Sequence, residues 1–139
     1  MKNARKRFIL YILHWAGRGS AAKRMDDTMK KMKVAVIGYG GMGGWHTEKL
    51  LGSDVAELAG VYDIRRERNE LAESRGIHAY ANLREVLQDP AVELVTVAVP
   101  NDAHEDVVVK ALNAGKNVIC EKPVALSMES LDRMIAAAE

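Results

Sequence analysis

Strands and helices alternate along residues 33–139, and that alternation predicts an α/β fold: a Rossmann-type, doubly wound parallel sheet with helices on both faces. Three observations carry the prediction. Short apolar β-branched runs recur between charged segments of helical period. A glycine-rich turn joins the first such run to the first helix. Glycine, proline or a capping residue punctuates the rest. With 139 residues, 48% hydrophobic and 28% charged, the chain suffices for one domain with a real core.

The elements follow in order. Residues 33–37 form a strand buried on both faces, and 43–51 a helix that Gly52 ends. Residues 56–62 are the second strand, reaching Asp63, and 65–74 a charged helix with Gly76 as its stop. A short third strand is predicted at 77–80. Asn82 and Glu85 make a capping-box pattern for a helix over 83–88, which stops at Asp89-Pro90. The fourth strand is 93–99. Asp102 reads as the N-cap of a helix running to 114 and closing on Gly115, and 117–120 is the fifth strand. Ser127 caps a last helix through Leu131, Met134, Ile135 and Ala138, which reaches Glu139 with no stop signal and reads as cut.

Residues 1–31 read as an N-terminal extension outside the domain. From Lys2 to Lys33 the stretch is basic, offset only by Asp26 and Asp27, and the break falls near Met32. The apolar stretch 8–15 loosely resembles an export signal, but Arg5-Lys6-Arg7 lacks adjacent arginines and no clean cleavage site follows. A short helix lying on the domain is a further option for 8–15.

The net charge of +1 gives no global argument for nucleic acid or a membrane surface, and no apolar run reaches the roughly 20 residues of a span. The single Cys120 fits a reducing, cytoplasmic setting and reads as buried packing without a metal partner. No metal site is expected.

The candidate cofactor site begins at Gly38-Tyr39-Gly40-Gly41-Met42-Gly43. The first motif glycine permits a tight turn, the second lets backbone approach a pyrophosphate, and the third lets helix and strand pack closely. Free N–H groups at the helix start meet the phosphate charge. Asp63 then stands where a ribose-binding acid belongs, which favours NAD over NADP. Arg65 and Arg66 leave NADP open, because an arginine can pair with a 2′-phosphate. Ordinary alternatives are an N-cap for Asp63 and a solvated helix face for the arginines. A methyltransferase reading competes at this point, since such folds also place glycines after the first strand and an acid after the second.

Two later segments discriminate. Val97-Ala98-Val99-Pro100-Asn101-Asp102-Ala103-His104 and Ala114-Gly115-Lys116-Asn117-Val118-Ile119-Cys120-Glu121-Lys122-Pro123 stand at the ends of the fourth and fifth strands, where ligands of such sheets bind. Together with the glycine turn and Trp45-His46, they resemble the N-terminal cofactor domain of the glucose-fructose oxidoreductase / inositol dehydrogenase (Gfo/Idh/MocA) family over 33–139. The resemblance implies that Pro100 and Asn101 line the nicotinamide half of the cofactor, with His104 near it. It implies that Glu121 contacts the nicotinamide riboside and that Lys122 is catalytic at the substrate oxygen of a sugar, inositol or related polyol. Plain alternatives are a solvated Lys122 and a His104 without a task; His46 reads as structural.

The resemblance also implies a C-terminal substrate domain carrying the general base and the oligomer contacts, absent from these residues. The chain is therefore expected to be inactive alone, with its oligomeric state open. The alternative is a stand-alone dinucleotide-binding module, a sensor or accessory subunit without turnover.

Overall fold

In the computed structural model, which describes residues 8–10 and 30–139, the strands are β1 (Phe8–Leu10), β2 (Met32–Ile37), β3 (Ala56–Tyr62), β4 (Leu94–Val97) and β5 (Asn117–Cys120). The helices are α1 (Gly41–Leu51), α2 (Arg66–Ser74), α3 (Leu83–Gln88), α4 (His104–Asn113) and α5 (Met128–Ala138). The strands form one sheet in the order β1-β5-β4-β2-β3, with every pairing parallel. All their C-terminal ends therefore open on one rim. From β2 the chain winds outward to β3, then returns to β4 on the other side. The rim between β2 and β4 is the point where the winding reverses.

Side chains alternate across β2 and divide the core in two. Ala35 and Ile37 join Val95, Val97, Val118 and Cys120 against Val108 and Leu112 of α4 and Met134 of α5. Val36 faces the other way, with Val61, Ala72 and Ile77 and, at its border, Leu50 of α1. Cover on both faces is why these strands read as near-continuous apolar runs. Leu112 and Met134 are fully buried, and truncating either to alanine costs about 2–5 kcal/mol.

The structure departs from the sequence reading in several places. The expected strand at 77–80 is a single bridge, Ala79 opposite Val61. Its two hydrogen bonds run from Val61 N–H to His78 O and from Tyr80 N–H to Val61 O. The chain then leaves the sheet, because the Tyr80 hydroxyl bonds Asp89 and Asn82 starts α3. Asn82 does cap α3 by accepting from Glu85 N–H, but the Glu85 carboxylate accepts from Ala81 N–H and from the Asn82 side-chain amide instead of from the Asn82 backbone N–H. Asp102 is no N-cap. Pro100 opens a 3-10 turn over Asn101–Ala103, and α4 starts only at His104. Ser127 caps α5 as expected, accepting from Ser130 N–H.

Phe8–Leu10 of the extension is a strand, not part of a helix, and runs beside the outer edge of β5. The remainder of 1–29 lies outside the described residues, as does the export-signal reading. No helix among the described residues is long and apolar enough to cross a membrane.

Candidate functional site

Backbone hydrogen bonds stitch three turns to the sheet rim. Gly38 N–H donates to Tyr62 O, Ala98 N–H to Ile37 O, and Glu121 N–H to Val97 O. The turn after β2 thus lies against the turns after β3 and β4, and the turn after β5 adjoins the one after β4. All the sequence-predicted site residues belong to these turns or to the helix starts behind them.

The glycine turn owes its shape to missing side chains. Gly38 has φ +93°, and a Cβ there would stand 2.4 Å from Ala98 O. At Gly43 a Cβ would stand 1.7 Å from Gly38 O, so the first turn of α1 lies directly on the end of β2. Gly40 is different: a Cβ there would meet nothing within 4 Å. That open space lies at the N-cap of α1, and the helix has no side-chain cap. The N–H groups of its first turn, which have no acceptor within the helix, face it. An open, uncapped helix start is what a pyrophosphate requires, so these residues fit a dinucleotide. Gly41 and Met42 are exposed beside this space.

Asp63 directly follows β3 and is only 7% exposed. Oδ2 accepts from Tyr39 N–H at 2.8 Å and Oδ1 from Arg65 N–H at 2.9 Å, which ties the acid to the glycine turn. The Arg65 guanidinium is exposed, with Nε 3.7 Å from Asp63 Oδ1; Arg66 pairs with Glu70 along α2. The sequence reading missed Asn69, which holds the Asp63 backbone from α2: Oδ1 accepts from Asp63 N–H, and Nδ2 donates to Asp63 O. It also missed Arg75, whose guanidinium donates to the Tyr39 hydroxyl and pairs with Glu48 of α1. The Tyr39 side chain is buried, so this residue meets the cleft with its backbone.

At the other end of the rim, Pro100 and Asn101 are exposed at the start of the 3-10 turn. His104 lies behind them at 1% exposure, with Nδ1 and Nε2 each 3.0 Å from a carbonyl oxygen, those of Pro123 and Val99. Both ring nitrogens face protein backbone, so His104 stands behind the cleft instead of lining it. The Glu121 carboxylate accepts from His46 Nε2 of α1 at 2.5 Å, so His46 belongs to the site. Lys122 is exposed, follows β5 by two residues and makes no hydrogen bond or ion pair among the described residues. The Lys122-Pro123 peptide is cis.

Two residues at the ends of β5 are closed to chemistry. Burial, with the adjacent Glu121 charge, pushes the Cys120 thiol up to about 12. Lys116 is 7% exposed and donates to Asp89 O and Val92 O, tying the loop before β4 to the start of β5. Among the described residues no group of three or more His, Cys, Asp or Glu is placed to hold a metal. A cavity of about 780 Å³ lies on the sheet face beside α1, lined by Val34, Trp45, His46, Leu94, Thr96 and Ile119, so it reaches the histidine that is bonded to Glu121.

Comparison with known proteins agrees with this geometry. Residues 32–139 match the family described as "Oxidoreductase family, NAD-binding Rossmann fold" (Gfo/Idh/MocA). The myo-inositol 2-dehydrogenase of Thermotoga maritima is 38% identical over 106 residues, which are 75% of this chain and 32% of that protein. The glucose-6-phosphate 3-dehydrogenase of Bacillus subtilis is 37% identical over 108 residues, 77% of this chain and 30% of that one. A crystal structure of an NAD-binding protein from Listeria innocua superposes with a TM-score of 0.75 at 40% identity, covering 78% of this chain and 32% of that one. The chain thus spans about a third of the length of the relatives it matches. With the glycine turn, Asp63 and the Glu-Lys-Pro turn on one rim, and the match extending over residues 32–139, the chain belongs to the Gfo/Idh/MocA oxidoreductase family, of which it carries the NAD-binding Rossmann domain.

Proposed function

We propose that this domain binds NAD in preference to NADP and presents it for hydride transfer with a sugar, inositol or related polyol. The observation that carries the reading is Asp63. Its carboxylate is anchored by the Tyr39 and Arg65 N–H groups at the end of β3, beside the open space at Gly40. Lone pairs left on both oxygens can accept the hydroxyls of an adenosine ribose, and the negative charge repels a 2′-phosphate. The exposed Arg65 guanidinium, with Nε 3.7 Å from Asp63 Oδ1, can still reach a 2′-phosphate, so the preference for NAD rests on the Asp63 carboxylate alone. Ile64, 89% exposed directly after Asp63, offers an apolar surface to an adenine face.

When bound, the nicotinamide exchanges the hydride. Pro100 and Asn101 would border its ring, and the Glu121 carboxylate its ribose. Lys122 is the catalytic residue: its unpaired ammonium stabilises negative charge developing on the substrate oxygen and helps relay the proton. A polyol substrate is supported by the inositol and hexose-phosphate dehydrogenases among the relatives.

Thermal melting against NAD and NADP tests the reading. Saturating NAD raises the melting temperature more than NADP does, and Asp63→Ala removes that difference. Equal shifts for the two cofactors in the parent chain would end the selectivity claim, and no shift with either would end the reading.

A further inference from the structure

His46 reads from the sequence as structural, yet among the described residues it is the one side chain of the glycine-turn helix bonded to the Glu-Lys-Pro turn. It lies one turn into α1, 75 residues before Glu121 in sequence. The two side chains are 13% and 14% exposed, so the hydrogen bond between His46 Nε2 and Glu121 Oε1 is largely shielded from water. Glu121 Oε2 has no partner among the described residues. Trp45 stands edge-on to the imidazole, with ring centroids 5.1 Å apart, and restricts its rotation.

We infer that His46 is a positioning residue for the nicotinamide end of the cofactor: it orients the Glu121 carboxylate so that Oε2 faces the riboside, and it ties that end of the site to the helix that receives the pyrophosphate. The inference rests on the proposed role of Glu121. Alone, a glutamate at a strand end samples several rotamers. Bonded through one oxygen, it presents the other in a fixed direction, and the ordering is complete before the ligand arrives. His46 touches neither cofactor nor substrate. Its effect passes through Glu121, and it is confined to ligands that carry a nicotinamide riboside.

The confinement supplies the test. NAD and ADP share the pyrophosphate and the adenosine ribose, but ADP lacks the nicotinamide riboside. The dissociation constants of both are measured by calorimetry on the 139-residue chain and its variants. In His46→Leu, NAD binding weakens about tenfold and ADP binding stays within about twofold, as expected for loss of one hydrogen bond to a charged group. His46→Gln, whose amide can still donate to the carboxylate, recovers most of the NAD affinity. Glu121→Gln gives a similar loss, and adding His46→Leu to it costs nothing more.

Equal weakening of NAD and ADP in His46→Leu, or full additivity in the double variant, overturns the positioning role. If the parent chain binds ADP but gains nothing from the nicotinamide riboside, the assignment of Glu121 fails first and this inference with it. If the parent chain binds neither ligand, the cofactor reading itself has failed.

Discussion

The two ends of the candidate site are built by opposite means. The glycine turn is shaped by what is missing: at Gly38 and Gly43 a single methyl group would strike backbone. The Glu-Lys-Pro turn is held by what reaches it from elsewhere, His46 from one face of the sheet and His104 from the other. The first construction leaves free N–H groups for a phosphate, whose charge suits any helix start. The second leaves one carboxylate, Glu121, whose direction His46 sets, beside a Lys122 that makes no bond among the described residues. Backbone is adequate for binding a diphosphate, but directing chemistry at one oxygen needs groups whose direction is fixed.

The comparison can be broken most severely at Gly43. Gly43→Ala forces a Cβ against Gly38 O with no flexible neighbour to yield, and the expected loss is about 3 kcal/mol or more, read from urea unfolding. A loss under about 1 kcal/mol would mean that the close contact between helix and strand does not set the turn. His104→Leu is next. It leaves the carbonyls of Val99 and Pro123 without their imidazole partner and lowers stability by about 2–3 kcal/mol. ADP binding should persist in whatever fraction remains folded, because the glycine turn is untouched. If ADP and NAD affinities fall together, the two ends are not separately built.

Gly40→Ala sharpens the contrast from within the glycine turn. Its new methyl meets open space at an ordinary backbone angle, φ −86°, so stability changes by about 0.5 kcal/mol at most. Cofactor affinity should fall by about tenfold or more, since that space is where a pyrophosphate would lie.

The smallest effect concerns pH. Glu105 of α4 is held at about 2, below its usual 4.5, chiefly by the Arg133 guanidinium of α5 and then by Ser130. A carboxylate lowered in the folded state contributes stability above its unfolded value, and the contribution is lost as pH falls through the folded value. The pin between α4 and α5 therefore loosens between pH 4.5 and about 2. Glu105→Gln should flatten that limb of the stability curve slightly while leaving neutral-pH stability nearly unchanged, because the pair is exposed.

What was legible in the sequence follows the same division. The glycine turn and Asp63 could be read because the causes of their shape are local: a missing Cβ and a strand end. The alternation of apolar runs gave the parallel sheet for the same reason. His46 could not be read as a partner of Glu121, because the bond joins α1 to the end of β5 across the sheet. His104 was placed in the correct neighbourhood by its motif. That its nitrogens bond two carbonyls depends on how the turns after β4 and β5 pack. Asn69 is only six residues from Asp63, yet a polar residue on a charged helix carries no visible sign of gripping backbone. The strand expected at 77–80 has suitable residues, but tertiary bonds at Tyr80 and the cap at Asn82 draw the chain away after one bridge.

Lys116 and Lys122 stand six residues apart in one stretch of sequence and could hardly be less alike in circumstance. Lys116 is sealed under two carbonyls, and burial lowers the proton affinity of its amine, with Asp89 partly opposing this. Lys122 stands bare at the rim. An acylating reagent added to the native chain should therefore mark the second and spare the first until the fold opens. The protein thus carries its own paired reporter, one amine registering access to the cleft and the other the integrity of the sheet beneath it.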